Sequence, residues 1–192
     1  MKLALTGIAA GLVLAAGAAL AQAPSDQTAP PRADVVKTVG DWQVRCFSVQ
    51  NQNPCDQFWQ QVDSRSGQRE VAISIAYSPS MDRNLVVITV PLGVSIPKGV
   101  TFQTDNYTSP LLHYRVCSRE GCFVQVADNA FVESLAKSGP DAKLNIAGDD
   151  GKTYSLPVSL KGFAGAHDEM MSEAKARAAK PAAAPAKPPA KP

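Results

Sequence analysis

The chain has 192 residues, of which 45% are hydrophobic and 19% are charged, and its formal net charge is +2. This size and composition predict one folded domain with a hydrophobic core of its own, which needs no metal to fold. The near-neutral charge balance argues against a nucleic-acid-binding domain, because such domains concentrate basic charge on one surface.

The first 21 residues have the pattern of a bacterial secretory signal peptide. Lys2 gives a positive start, an apolar run extends over residues 3–14, and Ala19-Leu20-Ala21 supplies the small residues that signal peptidase reads. An uncleaved membrane anchor is the alternative, but the proline and polar residues that follow favour cleavage. We therefore predict a mature protein from about Gln22 that is periplasmic, associated with the outer membrane or secreted.

The mature sequence divides into three parts by composition. Residues 22–33 carry Pro, Ser and Gln and are predicted to be a flexible segment, and residues 34–170 are predicted to be the folded domain. Residues 171–192 form a basic tail rich in Ala, Pro and Lys, with a net charge of +4. We interpret residues 175–192 of this tail as an extended spacer; a weak contact with an anionic envelope surface is the alternative.

The domain is predicted to be mainly β. Alternating or continuous apolar runs between turn signals predict strands over residues 42–46, 55–62, 70–77, 85–90, 100–104, 111–117, 122–127, 143–147 and 152–159. A helix is expected between Asp128 and Gly139, and another over residues 164–179. Many short strands with regular turns favour a disulfide-stabilised, immunoglobulin-like β-sandwich with one or two short helices, and a small barrel is the alternative.

Four cysteines in an exported chain predict two disulfides, which can pair in three ways. We favour the local pairing, Cys46 with Cys55 and Cys117 with Cys122, because each pair falls within one predicted hairpin. Loop-closure entropy alone does not exclude the crossed pairings. The C-x8-C and C-x4-C spacings are unusual for structural zinc, and the chain has no C-x-x-C redox motif.

Four blocks of the domain resemble the invasion-associated locus B family in their order along the chain. They are Val39-Gly40-Asp41-Trp42 with Cys46 and Cys55, residues 91–100 (PLGVSIPKGV), Cys117 with Gly121-Cys122-Phe123, and residues 156–163 (LPVSLKGF). The resemblance implies an exported envelope or secreted protein of α-proteobacterial type with a β-sandwich fold. In some pathogens such proteins are linked to entry into host cells. The resemblance implies no catalytic residue and no cofactor.

No motif in the sequence indicates catalysis, a cofactor or a metal. The chain contains no Gly-x-Ser-x-Gly elbow, no His-Glu-x-x-His and no phosphate-binding loop. Its two histidines, His113 and His167, are expected to be structural or solvated, and Asp149-Asp150 before Gly151 predicts a hairpin turn rather than a cation site. We therefore expect that the protein is not an enzyme.

Residues 91–100 are the most promising recognition surface, since loops held on a rigid β framework often bind partners. Trp42 and Phe163 are expected to pack in the core rather than to bind a ligand. The sequence thus indicates an exported interaction protein whose partner is an unknown protein, an envelope component or a host surface. A periplasmic structural or accessory protein that binds an envelope component is the alternative.

Overall fold

The computed structural model describes residues 33–47 and 53–179. The predicted signal peptide, residues 22–32 and the last part of the basic tail lie outside the described residues. The described part is mainly β, with ten strands and two α-helices. The strands are β1 (Ala33–Val39), β2 (Trp42–Phe47), β3 (Cys55–Val62), β4 (Arg69–Ser78), β5 (Arg83–Val90), β6 (Val100–Gln103), β7 (Tyr114–Ser118), β8 (Gly121–Val126), β9 (Asp141–Ala147) and β10 (Thr153–Ser159); the helices are α1 (Asn129–Ala136) and α2 (Phe163–Ala178).

Seven antiparallel strands form the larger sheet, in the order β1-β2-β3-β4-β5-β8-β7, and three form a smaller sheet, in the order β10-β9-β6. The prediction of a mainly β domain with helices is confirmed. The immunoglobulin-like topology is not shown, because β1 to β5 stay neighbours in chain order instead of alternating between two sheets. Short turns such as Gly40-Asp41 keep successive strands side by side. The sheets do not close, so the barrel alternative is wrong.

Two elements differ from the sequence prediction. Strand β1 is not predicted, because its central residues are exposed and the adjacent Val35 and Val36 interrupt the alternation that marks a half-buried strand. Helix α2 lies within one residue of its predicted bounds, but it includes residues 171–178, so the first part of the predicted tail is helical rather than extended. Among the described residues, no helix is long and apolar enough to cross a membrane.

The hydrophobic core lies on the inner face of the larger sheet, where α2 packs over β1 to β4. Trp42 is fully buried and meets Phe163 of α2 edge-on at a centroid distance of 4.9 Å, so both aromatic residues pack as expected. The small residues Ala166 and Ala174 are also fully buried, which allows the helix to approach the sheet closely. Phe102 of the smaller sheet meets Phe131 of α1 edge-on and belongs to the same core.

The predicted disulfide pairing is confirmed. Cys46 and Cys55 face each other across β2 and β3, and Cys117 and Cys122 face each other across β7 and β8. Each bond therefore joins neighbouring strands of one antiparallel pair and closes a short loop. Two disulfides and no free cysteine indicate an oxidising, extracytoplasmic compartment.

Candidate interaction surface

The loop between β5 and β6 is held by backbone hydrogen bonds to the turn between β9 and β10. The Ser95 amide donates to the Ala147 carbonyl at 2.8 Å, and the Asp149 amide donates to the Gly93 carbonyl at 2.9 Å. Val94 also forms an isolated β-bridge with Gly148. These contacts order the loop predicted to be a recognition surface, although only the 3₁₀ turn Ile96–Lys98 within it is regular structure.

Gly99 ends this loop where two backbone segments come very close together. Its φ is +57°, and a Cβ built on it would lie 2.4 Å from the Leu112 carbonyl oxygen. A side chain here would therefore require the backbone to move. The same Cβ position lies 3.2 Å from Leu111 Cδ1, so Leu111 rests directly against the end of the loop.

Three large aliphatic side chains are exposed on this loop and beside it. Leu92 is 56% exposed, Ile96 is 48% exposed and Leu111 is 46% exposed. We call these three residues the loop face. The exposed side chain of Lys98 follows Ile96 in the 3₁₀ turn. Exposed apolar side chains with polar groups around them are typical of interaction sites when they form one patch.

The turn beside the loop face contains the two aspartates considered as a cation site. Asp150 Oδ2 accepts a hydrogen bond from the Tyr154 hydroxyl at 2.8 Å, and Asp150 Oδ1 accepts one from the Lys152 amide at 3.0 Å. The Lys152 amide and the Tyr154 hydroxyl hold the pKa of Asp150 below its usual value. The prediction of a hairpin turn is confirmed. No group of three or more His, Cys, Asp or Glu within residues 33–47 and 53–179 is placed to hold a metal ion.

The two histidines lie in different environments. His113 is exposed and immediately precedes β7. His167 of α2 is half-buried, with its Nε2 atom 3.1 Å from Asn84 Oδ1, and burial lowers its pKa. Asn84 donates in turn to the Asn129 side chain of α1 through its backbone and side-chain amides. His167 thus joins α2 to β5 and α1, which is a structural arrangement.

The pKa of Tyr114 in β7 is also shifted from its ordinary value. Its hydroxyl is buried without a hydrogen-bond partner in the described part of the chain, and burial raises its pKa to about 12. A phenol with so high a pKa is a poor acid or base at neutral pH.

A partly buried ion pair on the outer face of the larger sheet was not predicted from the sequence. The Arg45 guanidinium donates to both carboxylate oxygens of Asp56, at 2.9 and 2.5 Å, and the Ser74 hydroxyl donates to the same carboxylate. Arg45 also lies over the Phe58 ring, 3.6 Å from its centroid. The ion pair could have been found from the favoured pairing of Cys46 with Cys55, because that strand register places Arg45 opposite Asp56.

A shallow pocket of about 260 Å³ lies at the end of β6 and the start of β9. It is smaller than most small-molecule sites, which enclose about 300–1,000 Å³. Its Asp105 carboxylate accepts a hydrogen bond from the Gly139 amide and so contributes to the local fold. The loop face therefore remains the better candidate for binding.

The first and last of the four sequence blocks, which contain Trp42 and Phe163, meet where α2 begins. The Asp41 amide donates to the Lys161 carbonyl at 3.0 Å, and Trp42 Nε1 donates to the Ser159 carbonyl at 3.0 Å. Gly162 has φ +83°, and a Cβ built on it would lie 2.2 Å from the Val39 carbonyl oxygen. These contacts fix the start of α2 on the sheet.

The fold and the loop face define a disulfide-stabilised, mainly β protein with exposed aliphatic side chains on and beside an ordered loop. Residues 42–171 match the model of the family described as invasion associated locus B (IalB) protein, and the chain belongs to this family. The resemblance seen in the sequence blocks is thereby confirmed.

Individual relatives agree with this assignment. An invasion protein B homolog of Brucella abortus (strain 2308) is 25% identical over 146 residues, covering 72% of this chain and 80% of that protein. The homolog of Brucella abortus biovar 1 (strain 9-941) matches to the same extent. The crystal structure of invasion associated protein B from Bartonella henselae superposes with a TM-score of 0.63 at 25% identity, covering 72% of this chain and 97% of that one.

Proposed function

We propose that this protein is an exported, non-catalytic interaction protein that binds its partner through the loop face. The observation that carries the proposal is the exposure of Leu92, Ile96 and Leu111 on a loop that backbone hydrogen bonds hold in place. Burial of such side chains against a partner is favourable, and an ordered loop loses little conformational freedom on binding.

The chemistry of the described residues supports binding rather than bond making. Three groups with shifted pKa values lie on different elements: His167 joins α2 to β5, Tyr114 lies in β7 and Asp150 lies in a hairpin turn. Active sites usually bring such groups together around one position for a substrate. The relatives in Brucella and Bartonella are named as invasion proteins, and contact with a host surface is the partner class we propose here.

The binding surface can be tested by substitution. Leu92→Ser with Ile96→Ser removes two side chains of the loop face, and Met81→Ser removes a side chain that is 57% exposed in the loop between β4 and β5. Labelled mature protein should bind host cells or extracellular matrix saturably, and the double variant should bind roughly 10-fold or more weakly. Met81→Ser should bind like the parent. Absence of saturable binding, or equal loss in both variants, would contradict the proposal.

A periplasmic accessory role is the second candidate, and the charge of the tail favours it. Residues 171–192 carry five basic residues and one acidic residue, including Lys175 and Arg177 at the end of α2. Such a segment is attracted to anionic envelope components, and the attraction weakens as salt rises. Deletion of residues 180–192 should then release the protein from isolated envelopes at low salt. Unchanged retention would exclude this contact.

Protease treatment of intact cells distinguishes the two locations. Digestion of the protein on intact cells, or its release into the medium, would place the loop face within reach of a host. Protection until the outer membrane is opened, with a periplasmic marker as control, would make the accessory role the leading one.

A further inference from the structure

Strand β1 forms an open edge of the larger sheet. It pairs with β2 on one side, and no other strand of the described residues pairs with its opposite side. Five consecutive residues within it are exposed, and the two valines among them, Val35 and Val36, are 53% and 41% exposed. An exposed strand edge with apolar side chains is a template for pairing with another strand.

The charges of β1 are arranged so that the strand complements itself. Asp34 is paired with Cys46, and Lys37 is paired with Val44, so both charged residues lie on the inner face of the sheet. The irregularity between Val35 and Lys37 makes this spacing possible. When two copies of β1 run antiparallel, Asp34 of each copy can stand opposite Lys37 of the other, with Val35 opposite Val36.

We propose that two copies of this protein associate edge to edge through β1, in an antiparallel pair with this register. The occupant of the edge is thus a second copy of the same chain, recognised by two Asp–Lys pairs and two valine pairs about a twofold axis. The dimer is weak and reversible, because edge pairing buries less surface than the ~1,200 Å² typical of a stable interface.

The geometry of such a pair has a functional consequence. Val39, at the end of β1, lies at the same end of the larger sheet as Val90, after which the loop between β5 and β6 begins. Because the two β1 strands run in opposite directions, the two loops lie at opposite ends of the joined sheets. The dimer therefore joins two separate partners rather than holding one partner twice.

Charge reversal on the edge tests the register. Asp34→Lys places like charges opposite each other twice in the homodimer, and Lys37→Asp does the same with negative charges. Each variant should weaken self-association roughly 10- to 100-fold. An equal mixture of the two should recover association, because each Lys then faces an Asp. Sedimentation velocity of the mature chain from about 10 µM to about 1 mM measures this.

The matched control concerns the second contact of Lys37. Lys37 Nζ also lies 2.7 Å from Glu169 Oε2 within the same chain, so Lys37→Asp breaks that ion pair as well. Glu169→Gln breaks the same pair while leaving the edge charges unchanged, and it should still dimerise. Circular dichroism establishes that each variant is folded.

Three results would overturn the proposal. The parent chain could remain monomeric at the highest concentration, Asp34→Lys could dimerise like the parent, or the mixture could fail to restore association that both single variants had lost. None of these results bears on the loop face, so the two proposals stand or fall separately.

Discussion

Replacing Gln57 with methionine should stabilise the protein. Gln57 lies in β3, between Val44 of β2 and Ile75 of β4, and its side chain is completely buried beneath α2. Its Nε2 and Oε1 atoms make no hydrogen bond to any part of the chain that the structure describes. Burial therefore removes the hydrogen bonds that these two groups make with water in the unfolded chain, and no protein hydrogen bond replaces them.

The expected magnitude follows from the two groups that lack partners. An unsatisfied buried polar group costs about 1–3 kcal/mol, and methionine keeps the unbranched shape and nearly the same length as glutamine. A volume-conserving replacement in a packed core costs less than about 1.5 kcal/mol. We therefore expect Gln57→Met to raise the free energy of unfolding by about 1–2 kcal/mol, which is about 3–6 °C in Tm for a domain of this size.

Chemical denaturation with oxidised protein measures this change. The midpoint should rise while the m-value stays constant, because the surface exposed on unfolding hardly changes. Gln60→Met is the matched control, since Gln60 lies in the same strand and is exposed; its effect should stay within about 0.5 kcal/mol. A Gln57→Met protein less stable than the parent would contradict this prediction, because it would show that the amide makes favourable contacts.

Three further predictions concern stability. Replacing both Cys46 and Cys55 with alanine should cost about 3 kcal/mol, since the bond closes a loop with a sequence separation of 9, and an unchanged denaturation midpoint would contradict this. Asp56→Ala should cost about 3 kcal/mol in urea denaturation, because it leaves the Arg45 guanidinium partly buried without its carboxylate; a double replacement of both residues by apolar ones should recover most of the loss. Burial lowers the pKa of His167 in the folded protein. Below the ordinary histidine pKa of about 6.5 the unfolded chain therefore binds more protons than the folded one, and the free energy of unfolding decreases as the pH decreases. His167→Gln should flatten this dependence between pH 7 and 5, and an unchanged slope would count against it.

The sequence predicted those features that depend on local pattern. Alternating side chains marked β2 and β4, and the turn residues Asp149-Asp150-Gly151 marked a hairpin. The local disulfide pairing followed from the predicted hairpins, because cysteines opposite each other on adjacent strands can bond without moving the backbone.

The remaining features depend on contacts between distant parts of the chain. Alternation identifies a strand but does not say which sheet it joins, so the meander of β1 to β5 was not predicted. Edge strand β1 lacks a buried face that would produce a pattern. Backbone hydrogen bonds from the Ser95 and Asp149 amides order the loop between β5 and β6. Almost any residue type can make such bonds, so the sequence does not reveal them.

The most direct test of the loop face places a photo-crosslinking amino acid at Leu92 and, in a second protein, at Met81. Both positions are exposed, at 56% and 57%, so unequal crosslinking cannot arise from unequal exposure. If the loop face binds the partner, the Leu92 protein should form one discrete adduct on host cells or envelopes. Unlabelled parent protein should compete with this adduct, and the Leu92→Ser, Ile96→Ser double variant should not. An adduct from Met81 alone, or equal competition by the double variant, would contradict the claim that the loop face binds the partner.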